Sequence, residues 1–272
     1  MRIGWLLFVL AFFGIGCDST VKRGETPEPT VGRSDSAVAA KPAPERQPQD
    51  EYHVVTRRID EKNTAPLYEI ALEYPAINGA RMHTSWEHFN HMIADTVAAM
   101  VGGFKQDQAE LEPVEGDAGL GSSMHSSFEV ALSTPDLISL LMVMDEYQAG
   151  AAHPMGGLQG FTYDLANDRP VALRNLFLPK SGYLDTLSTK AIEQLTMQLG
   201  ENADLEMLRS GAAAAEENFE NFTLGRDSLV IDFGEYQIGP YALGRQRIAI
   251  AYNSLSTILS PDGPVARLGT AR

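Results

Sequence analysis

The chain has a single cysteine among its 272 residues, Cys17. With no second thiol an internal disulfide is excluded, so the fold must rest on its apolar core alone. Long apolar runs are scarce too. The greasiest stretch, residues 3–15, stops well short of the about 20 residues that a membrane-spanning helix needs. Positive charge is in deficit: 21 Lys and Arg face 36 Asp and Glu, for a formal net charge of -15. Such an acidic surface argues against nucleic acid and anionic lipid surfaces as partners. Several catalytic signatures are missing as well. There is no Gly-x-Ser-x-Gly elbow, phosphate loop, dinucleotide fingerprint or His-Glu-x-x-His pair.

What surrounds Cys17 gives it meaning. Arg2 precedes the apolar stretch, Gly16 stands just before the cysteine, and Asp18, Ser19 and Thr20 follow it. A basic start, a short apolar segment and a small residue before the cut form the pattern of a secretory signal. The sole cysteine at the cut makes it resemble a bacterial lipoprotein signal, although Gly14 stands where such signals prefer Leu. The expectation is an exported protein, lipid-anchored through Cys17 in the cell envelope and held to the membrane by acyl chains.

Residues 17–50 are rich in Pro, Ser, Thr, Glu, Lys and Ala and carry almost no large apolar side chain. Too little surface can be buried there to offset the entropy of ordering, which predicts a disordered tether. A globular body follows from about Tyr52. Alternation through Tyr68, Ile70, Leu72 and Tyr74 predicts a strand. Thr84 and Glu87 suggest a capping box for a helix through Trp86, Phe89, Ile93, Val97 and Met100, closed by Gly102-Gly103.

Further strands are expected around 128–132 and 137–147. A hairpin turns at Asn167-Asp168, and a second helix runs over 183–199 with Gly200 as its C-cap. Residues 201–218, acidic and alanine-rich, read as an exposed helical stretch. Another hairpin turns at 225–227, and a final strand through Ile248, Ile250 and Tyr252 leads into a short helix capped by Asn253 or Ser254. Strands outnumber helices without regular alternation. The predicted class is therefore α+β: a mostly antiparallel sheet with two main helices packed on it. The expected segments are a leader (1–16), a tether (17–50), two parts of one body (51–135 and 136–262) and a tail (263–272).

Two loops are richer in special residues than connectors need to be. One, residues 147–154, ends in Ala152-His153-Pro154. The other, residues 233–244, contains Tyr236, Gly239, Pro240, Tyr241 and Gly244. Small residues, prolines and rings together suit tight turns clamped by ring packing. Tyr236, Tyr241 and Phe233 would suit a sugar-binding groove, but core packing around Pro240 is the first expectation for them.

These segments carry a resemblance. Gly150 to Pro154, Tyr163-Asp164, Leu176-Phe177, Phe222-Thr223-Leu224 and the segment from Tyr236 to Gly244 resemble the extracytoplasmic domain shared by the RsiV anti-sigma factor and the PdaC peptidoglycan deacetylase. Tyr74-Pro75-Ala76-Ile77 before the Trp86 helix resembles its companion region. The resemblance implies a sensing or binding domain. In RsiV it binds lysozyme, and in PdaC a separate domain carries the deacetylation. Neither a sigma-factor-binding segment nor such a catalytic domain is evident here.

The expected function is thus a non-enzymatic binding module for a lysozyme-like protein or a peptidoglycan fragment, with no cofactor. The candidate binding residues are His153, Asp164, Tyr236 and Tyr241. His153 would otherwise lock its turn, and Asp164 would form one. The alternative is a cell-wall glycan hydrolase or deacetylase using His153 or a weak metal group of His83, His88 and His91. The acidic segment 201–220 would attract a cationic partner, or simply solvate a helix face.

Overall fold

The computed structural model describes residues 51–111 and 121–269, all within one compact unit. The leader, Cys17 and the tether lie outside the described residues. Six strands form the larger sheet: β1 (Tyr52–Thr64), β2 (Leu67–Gly79), β3 (Ser122–Thr134), β4 (Leu137–Tyr147), β5 (Met155–Asp164) and β6 (Arg169–Pro170). They lie side by side in chain order. Every pairing is antiparallel except that of β2 with β3. A parallel pair needs a crossover, and helix α1 (Thr84–Glu110) supplies it. Three further strands form a smaller antiparallel sheet: β7 (Phe222–Leu224), β8 (Ser228–Phe233) and β9 (Gln246–Ala251).

The larger sheet is covered on both faces. On one, Trp86, Phe89, Ile93, Val97 and Phe104 of α1 pack on Ile70, Leu72, Ile138, Leu140, Met142 and Tyr163. The second core joins Leu132 and Leu137 to the small sheet and to α2 (Tyr183–Leu199), whose Leu187, Ala191, Leu195 and Leu199 form the buried stripe. Burial from two sides explains why the first six residues of β4 are all buried.

The layers approach most closely where β7 crosses β4 and β5. The Ser139 hydroxyl accepts from the Leu224 N–H at 2.8 Å and shares a 2.7 Å hydrogen bond with Thr162. A Cβ on Gly160 would lie 2.6 Å from the Phe222 carbonyl oxygen.

The α+β class, the mostly antiparallel pairing, the bounds of β4 and α2 and the turn at 225–227 agree with the sequence reading. Other details differ. Helix α1 does not stop at Gly102-Gly103 but runs on to Glu110, because Phe104 and Gln108 continue its buried stripe. Phe104 meets Tyr68 edge-on, and Lys105 pairs with Glu61 at 2.6 Å. These contacts outweigh the roughly 1 kcal/mol that each glycine costs a helix.

Thr84 is the first helical residue rather than the cap; His83 occupies that position and makes no side-chain capping bond. The stretch 201–218 is not one exposed helix. It contains only α3 (Leu205–Gly211) and short 3-10 turns, and it buries Leu208, Gly211 and Ala212. The last strand ends at Ala251, which also caps the following 3-10 turn; Asn253 and Ser254 lie inside that turn, and the Ser254 hydroxyl donates back to the Ala251 carbonyl at 2.8 Å. Strand β1 has no clear counterpart in the sequence pattern. It is an edge strand with no fully buried position, so its apolar alternation is weak.

Candidate functional site

The two loops singled out by composition meet in space. The first joins β4 to β5 in the large sheet, turning at Gly150 (φ 81°), where the Ala151 N–H donates to the Gln148 carbonyl. That turn presents His153. The second joins β8 to β9 in the small sheet and presents Tyr236 and Tyr241. The His153 ring stacks on Tyr241 with 3.9 Å between centroids and 21° between planes. Tyr236 completes the group, 5.6 Å from Tyr241 and 6.3 Å from His153.

Hydrogen bonds orient the imidazole. Its Nδ1 lies 2.9 Å from the Pro154 carbonyl oxygen, which can only accept. The neutral ring therefore carries its proton on Nδ1, and Nε2 accepts from the Tyr236 hydroxyl at 3.3 Å. Tyr236 itself is held at φ +64°, a left-handed conformation unusual for a residue with a side chain, and 47% of its surface is exposed. Backbone strain of this sort is concentrated at functional sites. Of the three rings on the second loop, Phe233 is fully buried and packs in the core, whereas Tyr236 and Tyr241 belong to neither buried cluster.

The ring-bearing loop is tied down at several points. Ile238 anchors the second loop in the core. Gln237 donates from Nε2 to the carbonyls of Gly211 (3.0 Å) and Asn218 (3.1 Å), tying the loop to α3 and the acidic segment. A Cβ on Gly211 would come within 1.8 Å of the Gln237 carbonyl oxygen, so only glycine permits this approach. Arg245 bridges the sheets, donating to Glu235 (3.0 Å), Asp145 (2.5 Å) and the Met144 carbonyl (3.3 Å). The second oxygen of Glu235 packs against Gly156 and has no hydrogen-bond partner among the described residues.

Two residues along, Arg247 makes a second bridge, to both oxygens of Glu129 and to Asp232 at 2.7 Å. Burial pushes the Asp232 carboxyl above the usual carboxylate range even though Arg247 pulls it down. Both arginine bridges escaped the sequence reading. The available signal was Arg245-Gln246-Arg247 leading into a strand, a spacing that sets both side chains on one face.

Asp164 does not join the rings. It closes the far end of β5, about 30 Å along the strand from Met155 at 3.3–3.4 Å per residue. Only 1% of it is exposed. Arg267 grips both of its oxygens (2.9 and 2.5 Å), and Asn167 donates from its backbone (3.1 Å) and its side chain (2.8 Å). Burial raises its pKa, but Arg267 and Asn167 more than reverse this and leave it below the ordinary value. Nothing remains of this carboxylate for a ligand to contact, so it serves as a clamp between the hairpin turn and the last described segment.

Three of the other histidines, His83, His88 and His91, lie at or in the first turns of α1. The His83 ring packs on Trp86 at 4.4 Å. The Nδ1 of His88 lies 2.7 Å from Asp168, whose other oxygen accepts from Tyr163 at 2.8 Å. His91 is exposed. Among the described residues no three His, Cys, Asp or Glu side chains converge so as to hold a metal ion. No described helix is long and apolar enough to cross a membrane.

Comparison with known proteins finds relatives of both sequence and fold. Residues 174–253 match the model of DUF3298, a protein family of unknown function. The chain is 24% identical over 199 residues to the peptidoglycan-N-acetylmuramic acid deacetylase PdaC of Bacillus subtilis, covering 72% of this chain and 40% of that protein. It is 29% identical over 133 residues to an esterase of Mycobacterium tuberculosis, covering 49% of this chain and 55% of the esterase. The chain thus spans about half the length, or less, of these relatives.

Two crystal structures of DUF3298 proteins share the fold. One, from Bacteroides fragilis, has a TM-score of 0.56 at 16% identity, covering 81% of this chain and 97% of that one. The other, from Pseudomonas aeruginosa, has a TM-score of 0.57 at 12% identity, covering 78% and 96%. The small sheet, α2, α3 and the Tyr236–Tyr241 loop all fall within residues 174–253, the part of the chain similar to the DUF3298 model.

Proposed function

We propose that this protein is a cell-envelope binding module that holds a cell-wall-related ligand on the His153–Tyr236–Tyr241 surface without turning it over. The supporting observation is the ring cluster itself. Three rings from two sheets stand outside the core, one of them on a strained backbone, above a floor fixed by Arg245 and Gln237. Aromatic faces of this kind suit sugar rings. The relative named as a peptidoglycan deacetylase adds cell-wall glycan as the ligand class.

A lysozyme-like protein is the second ligand, favoured by a separate feature. Glu201, Asp204, Glu206, Glu216, Glu217 and Glu220 are all exposed on the segment that Gln237 ties to the ring-bearing loop. A cationic protein could cover both. Export and lipidation at Cys17 belong to the same proposal, since the leader pattern would carry the module out of the cell and anchor it.

Calorimetric titration of the protein with soluble peptidoglycan fragments, and with lysozyme at low and high salt, tests the reading. Saturable binding without release of acetate or sugar supports a module. The hydrolase alternative draws on one geometric fact, the Nε2 of His153 facing the Tyr236 hydroxyl. Product release that disappears in His153→Ala would replace the binding reading with that one.

A further inference from the structure

Strand β1 is the open edge of the large sheet: among the described residues it pairs with β2 alone. An edge of 13 residues presents a row of unpaired N–H and C=O groups, which proteins commonly guard with charge. Here the guard has an order. The middle of β1 reads Arg57-Arg58-Ile59-Asp60-Glu61, two positive residues, one apolar and two negative. Guards of a single sign repel every copy of a chain. This one is antisymmetric about Ile59, so it is complementary to itself when run antiparallel.

With Ile59 on a two-fold axis, Arg58 of one copy stands opposite Asp60 of the other, and Arg57 opposite Glu61. The symmetry makes each pair twice. Arg57, Arg58 and Asp60 are exposed, and Ile59 and Glu61 partly so. The inner side of the same strand already uses this chemistry. Arg58 and Glu73 face each other across β1 and β2 with a 2.6 Å ion pair, and Lys62 and Glu69 do so at 3.1 Å. Opposite charges placed directly across a ladder stabilise it and fix its register.

We propose that the outer edge of β1 is a self-association surface. Its partner is a second copy of this chain, joined antiparallel with Ile59 at the centre, so that one sheet runs through both molecules. The His153–Tyr241 loops lie on β4, β5 and the small sheet, away from this edge, and stay open in the dimer.

The test is sedimentation velocity of the full chain in detergent solution over a concentration series. The wild type is expected to show a species of doubled mass that grows with concentration. Asp60→Arg sets arginine opposite Arg58, and Arg58→Asp sets aspartate opposite Asp60, so each variant alone should stay monomeric. An equimolar mixture of the two restores both attractive pairs and should recover the dimer, which separates a lost contact from a lost fold. A wild type that is monomeric throughout overturns the proposal. Dimerisation of Asp60→Arg equal to wild type overturns it too, as does a dimeric wild type with no recovery in the mixture.

Discussion

The His153 imidazole stacks on the Tyr241 ring with 3.9 Å between centroids, although the two rings belong to loops of different sheets. The contact therefore reports how the sheets are joined. Arg245 fastens the same junction from below through Asp145 and Glu235. A ligand bound on rings held across such a junction would not have to meet the cost of ordering them, which is met during folding.

Removing a ring should weaken binding and leave the fold intact. Tyr236→Ala and His153→Ala each lose about tenfold in affinity for the ligand, the size of a ring contact worth roughly 1–1.5 kcal/mol. Because Tyr236 is exposed and outside both cores, its variant should melt within a few degrees of wild type. Titration and thermal unfolding of the same samples check both halves of the expectation.

Gly211→Ala should do the reverse and damage fold and site together. Its Cβ would sit 1.8 Å from the Gln237 carbonyl oxygen, forcing the ring-bearing loop off α3. Overpacking of this kind costs about 1–3 kcal/mol. Denaturant unfolding should show that loss, and ligand titration should show weaker binding even under conditions where the variant is fully folded.

Much of this architecture was legible in the sequence, and the exceptions share a cause. Helix α2 announces itself because its buried residues repeat at a clean period of 3.6, and strand β4 because a short, nearly continuous apolar run begins just after Pro135. The two loops stood out because proline, glycine and rings seldom crowd a mere connector. Gly102-Gly103 signal too early an end to helix α1, because the burial of Phe104 and Gln108 that carries it onward depends on partners distant in sequence. Asp164 could not be distinguished from a binding residue because Arg267, its partner, follows about a hundred positions later. Ion pairs between distant arginines and carboxylates leave no local pattern.

The α1 glycines offer a way to raise stability. Both lie on open surface, with nothing within 4 Å of an added Cβ. Gly102→Ala and Gly103→Ala should each add about 0.5–1 kcal/mol through helix propensity. At roughly 2–4 °C per kcal/mol for a body of this size, the double variant should melt a few degrees higher by calorimetry.

The Asp164–Arg267 clamp predicts an acid-dependent effect. Asp164 has a folded pKa below its unfolded value, so its contribution is complete above the ordinary carboxylate range and is lost as pH falls through the folded pKa. Arg267→Ala leaves a buried carboxylate without its cation, which should cost about 3–5 kcal/mol near neutral pH. Near pH 3 the difference between variant and wild type should shrink, because protonation relieves the unpaired charge. Urea unfolding at the two pH values measures this directly.

The central claim is that the rings of the two loops form one ligand surface, and titration of wild type and His153→Ala/Tyr241→Ala with soluble peptidoglycan fragments tests it most directly. The account predicts saturable binding by wild type and none by the double variant at the same concentrations, with both proteins unfolding at similar temperatures. Undiminished binding by a folded double variant would contradict it.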